Sequence, residues 1–233
     1  VYPDEVHGGD VHVFDMATGL QRDTTETSNR LVVPASTRRM WEALHTKTLR
    51  GLSSQRFIVI GSPGVGKSRS IDYFIRLVLR RTVCEANTAG LPPPVVVLEH
   101  RKDRRAWLFA PECEGSDRYE AFSVGIAQFH AENVAAVRCP TNVFVVDTSQ
   151  AERSRMPPLV PATTVYVCSP DPRHYSEFRK HVSLGGVYYV PWWRPQDMIA
   201  SAPYMPVRDS DGAMVVLSED EVAERVSVVG PIP

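Results

Sequence analysis

Between a short apolar run and an amphipathic one, the chain carries Gly61-Ser62-Pro63-Gly64-Val65-Gly66-Lys67-Ser68. No other stretch restricts the fold as much. Gly61, Gly64 and Gly66 permit backbone turns that a Cβ would block, so successive N–H groups can face one point. Arg56–Ile60, before the loop, is β-branched and reads as a buried strand. After it, Ile71, Phe74, Ile75, Val78 and Leu79 follow the i, i+3, i+4, i+7, i+8 rule of a helix face, with Arg80 and Arg81 in the last turn, where the helix dipole favours cations. A strand, a glycine loop and a helix in that order suit an anion, because the helix N-terminus aims free N–H groups at it.

The eight residues fit G-x-x-x-x-G-K-[ST] at every fixed position. In that pattern the backbone cradles a nucleoside triphosphate, Lys67 reaches the β- and γ-phosphates, and Ser68 offers its hydroxyl to Mg²⁺. Gly61 to Arg69 form the expected nucleotide-binding set, with ATP the expected ligand and GTP an alternative. Such a loop needs an acid at the end of a neighbouring strand to finish the cation's shell. Asp147, after Val143-Phe144-Val145-Val146, fits that role, and with Lys67 makes the expected catalytic pair. The bland reading is an aspartate capping the next turn. Many hydrolases of this kind place a glutamate directly after the aspartate to activate water. Here Thr148 follows, and its hydroxyl cannot act as a base at neutral pH. Glu99, closing another apolar strand, could reach the same edge; it reads more simply as a solvated acid opening the turn "EHRKDRR". Ser169 ends a further strand, where a polar residue can sense the γ-phosphate, although "SP" also explains itself as a turn.

Apolar strands are expected at Arg56–Ile60, Val95–Leu98, Asn142–Ser149, Thr163–Pro170 and Val187–Val190. Ala106–Phe109 is expected to pair with the second. Helices are expected over 37–50, after the loop, over Tyr119–Val137 and over Tyr175–His181. Strands alternating with helices predict a three-layer α/β fold on a mainly parallel sheet. Residues 1–30 read as a poorly ordered lead-in with a short strand at Val11–Phe14, 31–191 as the nucleotide-binding core, and 192–233 as the start of a helical, lid-like region. In the last part Ser218 and Glu221 make a capping box, and Gly230 with Pro231 ends the helix.

Composition adds limits. Of 233 residues, 43% are hydrophobic and 23% charged, as in a globular domain, and the net charge of −1 gives no global field for nucleic acid or membranes. No apolar run reaches the roughly 18 residues that span a bilayer. The four cysteines show no zinc spacing and read as reduced thiols of an intracellular core. No His pattern calls for a metal other than Mg²⁺. Arg101, Lys102, Arg104 and Arg105 form a basic cluster that reads as a charged hairpin turn or a phosphate contact. Arg173, Arg179 and Lys180 read as solvated or phosphate-facing. Trp192 and Trp193 read as core or interface, or as a base-stacking pair. With no initial Met and with "VVGPIP" at its end, the chain reads as a soluble piece of something longer.

The ordered set "VIGSPGVGKS", "RRAWLFAPE", "VFVVDTS", "VYVCSP", "VYYVPWW" and "LSEDEVAERVSVVGPIP" resembles the retrotransposon hot spot proteins of trypanosomes and the related Crinkler-type effector ATPases, over residues 30 to 233. The resemblance implies an AAA-like or STAND-like P-loop NTPase module, an effector or nuclease-like domain elsewhere in the chain, nucleic acid or nuclear proteins as partners, and a nuclear location. In that family an arginine follows the "GPIP" element; this chain stops before it. The expected function is a Mg²⁺-dependent ATP switch or weak ATPase that drives a neighbouring domain. The alternatives are a module that binds nucleotide without hydrolysing it, and a small-molecule or nucleotide kinase, for which "ERSRMPPLVP" is a poor lid.

Overall fold

The computed structural model describes residues 6–8, 11–15, 30–48, 55–89, 93–101, 104–112, 119–125, 134–148, 156–182, 185–205, 207–208, 211 and 213–229. In chain order its elements are β1 (Val6–Gly8), β2 (Val11–Asp15), β3 (Arg30–Pro34), α1 (Ala35–Thr48), β4 (Arg56–Ile60), α2 (Lys67–Ala89), β5 (Val96–His100), β6 (Arg105–Pro111), β7 (Tyr119–Gly125), β8 (Val143–Asp147), β9 (Thr163–Cys168), α3 (Pro172–Arg179), β10 (Gly186–Tyr189), α4 (Pro195–Ser201), β11 (Val207–Arg208), β12 (Met214–Val215) and α5 (Glu219–Val229). They fall into two compact units. One holds Val1–Arg39, Gly64–Tyr73 and Pro191–Pro233; the other holds Met40–Pro63 and Phe74–Val190.

The second unit is built on a seven-stranded sheet of order β10-β4-β9-β8-β5-β6-β7. The first five strands run parallel, while β6 and β7 return antiparallel. Parallel strands are covered on both faces and so need near-continuous apolar sequence. That is why "FIVI" of β4, "VFVV" of β8 and "TTVYVC" of β9 lack alternation: every residue of these runs is buried. On one face Ile58, Ile60, Val97, Phe144, Val146 and Tyr166 pack with Val137, Val160 and Phe178. On the other, Phe57, Val59, Val145, Val165 and Val167 are equally buried. Trp41 and Phe74, both fully buried, meet with ring centroids 5.0 Å apart. Each such side chain contributes about 2–3 kcal/mol by leaving water. Asn142 ties the bottom of the sheet together: its Oδ1 accepts from Val95 N at 3.0 Å and its Nδ2 donates to the Ala136 carbonyl at 2.8 Å.

The expected strands are all present, and Ala106–Phe109 pairs with β5 as expected. The helix expected over Tyr119–Val137 does not form where the chain is described. Tyr119–Gly125 is β7, paired along its length with β6, and Ala135–Arg138 is a single 3₁₀ turn. An open edge on β6 satisfies the backbone of 119–125 directly, and that outweighs a weak helical stripe. Residues 126–133 lie outside the described part.

In the first unit, β1, β2 and β3 form an antiparallel sheet. The strand expected at Val11–Phe14 is β2, while β1 and β3 carried too little pattern to be read. The C-terminal part contains α4 and α5, with a two-stranded hairpin of β11 and β12 between them. Asp197, fully buried, accepts from Arg194 N at 3.0 Å and from Arg194 Nη2 at 2.8 Å, which closes the start of α4. The Ser218–Glu221 capping box is formed: Ser218 N donates to Glu221 at 2.8 Å, and Glu221 N donates to Ser218 Oγ at 3.3 Å. Gly230 and Pro231 lie outside the described residues.

Candidate functional site

The glycine loop follows β4 directly and leads into α2 at Lys67. Gly64 and Gly66 have φ of 85° and 82°, the left-handed region where a side chain would be strained. Ser70 N donates to the Gly66 carbonyl at 2.8 Å, so the first helical bond already lies inside the loop. Val65 is buried, Lys67 half-buried, and Pro63, Gly64 and Ser68 exposed.

Sequence reasoning missed one contact on this loop. Trp193 Nε1 donates to the Val65 carbonyl at 3.3 Å, and a Cβ on Gly66 would sit 3.9 Å from the same nitrogen. A trans peptide holds its C=O and N–H on opposite sides. Fixing the Val65 carbonyl toward the indole therefore turns the Gly66 N–H the other way. Nothing local could have signalled this pairing of residues 128 positions apart. Trp192, its neighbour, is exposed.

Asp147 closes β8 with a buried side chain. The register aligns Ile60 with Cys168 and Asp147 with Val167, so Asp147, Ser169 and Gly61 reach one edge of the sheet. Only β9 separates the strands of Gly61 and Asp147, two spacings or roughly 10 Å. Asp147 Oδ2 lies 3.0 Å from His100 Nε2. The pair is at ion-pair distance but outside hydrogen-bond geometry, and this oxygen accepts no hydrogen bond among the described residues. A buried carboxylate oxygen with unmet capacity is costly unless something else meets it, and a hard cation is a fitting partner. No group of three or more His, Cys, Asp or Glu suited to a metal occurs among the described residues.

Thr148 is committed elsewhere: its hydroxyl donates to the Val167 carbonyl at 3.0 Å, as does its N–H at 3.1 Å. Glu99 corrects the expectation of a solvated acid. β5 continues two residues past Leu98 and buries Glu99, where Arg101 Nε donates to its Oε1 at 2.8 Å. Arg101 is itself buried, its N–H donating to the Asp147 carbonyl at 3.0 Å. Arg101 opens the expected hairpin turn between β5 and β6 but with its side chain buried, whereas Arg104 and Arg105 are exposed; Lys102 lies outside the described residues. The missed signal was the placing of Glu99-His100-Arg101 straight after a buried strand, with no Gly or Pro to end it.

Ser169 Oγ is in hydrogen-bond contact with His174 Nδ1, and His174 Nε2 is buried with no hydrogen bond among the described residues. Tyr166 donates from its hydroxyl to the His174 carbonyl at 3.0 Å. Burial, followed by the neighbouring Cys168, pushes the Tyr166 phenol up to about 12, against lowering by Arg101 and by a hydrogen bond with Thr148. Arg173 and Lys180 are taken up in surface ion pairs with Asp171 and Glu177, and Arg179 is exposed.

The class defined by these features is an α/β protein with a mostly parallel sheet, whose loop-bearing strand and acid-bearing strand end at a common edge. Against known proteins, the chain matches no family model, no curated protein and no solved structure. Among the described residues, no helix is long and apolar enough to cross a membrane.

Proposed function

We propose that the chain is a P-loop NTPase module of three-layer, AAA-like architecture, in which Gly61 to Arg69 bind ATP, or GTP, together with Mg²⁺. The reading rests on one observation above others. A glycine loop with two left-handed residues joins β4 to α2, and a buried aspartate, one of whose oxygens accepts no hydrogen bond among the described residues, ends a strand at the same sheet edge as Gly61. Lys67 would hold the β- and γ-phosphates, Ser68 and Asp147 the cation, and Ser169 would sense the terminal phosphate. Slow hydrolysis would switch a neighbouring effector or nuclease-like domain, with nucleic acid or nuclear proteins as its targets. Membership of the retrotransposon hot spot and Crinkler group, and a nuclear location, belong to this same proposal.

The test is titration of the chain with a fluorescent triphosphate in Mg²⁺. Saturable binding is expected, weakened about 10- to 100-fold in Lys67→Ala through loss of a charge-assisted contact. No saturation with the unsubstituted chain at millimolar ligand would remove the reading. The Thr148 hydroxyl, spent on Val167, favours a second reading: a module that loads nucleotide and keeps it intact. Steady-state phosphate release separates the two.

A further inference from the structure

We infer that Glu99 is the acid that activates water in this site, supplied from the strand beside the usual position. The inference rests on the nucleotide-binding reading above. Pairing of β5 with β8 sets Glu99 opposite Val146 and His100 opposite Asp147. Side chains alternate across a strand, so His100 and Asp147 share one face, and Glu99 shares the other with Val146. Pairing continues past β8, because Thr148 N donates to Val167 O, and Thr148 falls on the Glu99 face. The face that would hold a glutamate after the aspartate thus receives one from the next strand, one register step back, a diagonal of about 7–8 Å between such positions.

The surroundings suit a base more than a surface acid. Glu99 is only 8% exposed. Arg101, buried beside it, fixes one carboxylate oxygen through Nε at 2.8 Å. Arg101 is anchored in turn by its backbone bond to Asp147, so the acid's support and the proposed cation ligand share a segment. Structural burial alone gives no reason to place a charged pair at this end of the sheet, where apolar side chains of the same volume would be at least as stable.

In the step proposed, a water molecule gives a proton to the Glu99 carboxylate as its oxygen bonds to the γ-phosphorus of the bound triphosphate. The bond from that phosphorus to the β,γ-bridging oxygen breaks, and its electron pair leaves with the nucleoside diphosphate. The proton then passes from Glu99 to the released phosphate.

The experiment measures two quantities on the full chain: binding of a fluorescent triphosphate with Mg²⁺, and single-turnover phosphate release. Glu99→Gln is expected to bind within about 2-fold of the parent and to release phosphate about 10²- to 10⁴-fold more slowly, the range of a general base. Release at the parent rate with binding intact overturns the inference. A parent chain that binds nucleotide but releases no phosphate overturns it too, and leaves the binding reading standing. A parent chain that binds nothing overturns both. If Glu99→Gln loses its cooperative melt, Glu99→Asp, which keeps a charge for Arg101 but withdraws it by one methylene, is measured in its place. Slowed release with binding retained supports the role, and an unchanged rate overturns it.

Discussion

Tyr166 shows how much one side chain at the sheet edge is asked to do. It packs on Phe178 with centroids 5.3 Å apart, and its hydroxyl closes onto the His174 carbonyl. Its phenol is raised from the ordinary 10.0 to about 12, chiefly by burial. The folded state therefore favours the neutral form. This stabilisation is complete below pH 10 and is lost as pH rises from 10 through 12. Tyr166→Phe is expected to flatten the alkaline fall in melting temperature over that window, while lowering stability near neutrality by about 1 kcal/mol for the lost hydrogen bond. At the start of α4, Asp197→Ala is expected to cost about 2 kcal/mol in a denaturant titration, because a fully buried cap leaves the Arg194 N–H without its acceptor. At this scale the sequence was legible where chemistry is written locally, as in Gly61 to Ser68. It was not legible for Trp193, His100 or Arg101, whose partners are set by strand pairing or by long-range chain return.

Elements add constraints that single residues do not reveal. Gly185 immediately precedes β10, and a Cβ there would fall inside the carbonyl of Arg56 on β4. Gly185→Ala is expected to part β10 from β4 at its start and to cost about 3 kcal/mol in a denaturant titration. At the β5–β6 hairpin, Arg104 has a φ of 54° and its N–H donates to the Arg101 carbonyl at 3.2 Å. Replacing Arg104 by Gly is expected to raise stability by up to about 1 kcal/mol, read from the melting midpoint, since left-handed backbone penalises a Cβ. Uninterrupted β-branched runs announced β4, β8 and β9. β7 was hidden because Tyr119-Glu120-Ala121-Phe122-Ser123-Val124 lies on an exposed edge. With neither face fully buried, its residues carry neither the continuity of a central strand nor a clean alternation.

For the molecule as a whole, strand order was the least legible property. Hydropathy located the parallel strands, but nothing in it says that β9 lies between β4 and β8, since that follows from how the crossovers pack. The order matters, because it decides that Gly61, Ser169 and Asp147 end together. A ligand held only by the folded chain must stabilise it by mass action. At a concentration of 100 dissociation constants, Mg²⁺–ATP is expected to add about 2.7 kcal/mol, which raises the melting midpoint by roughly 5–10 °C at this size. Mg²⁺ alone is expected to add far less, and Lys67→Ala to cut the gain at the same ligand concentration to about 0.4–1.4 kcal/mol. The indole of Trp193, bonded to the peptide at Val65, carries a further consequence. Whatever re-aims that carbonyl changes the electric field around a fluorophore, so the chain comes with its own unlabelled optical gauge of what the loop is doing.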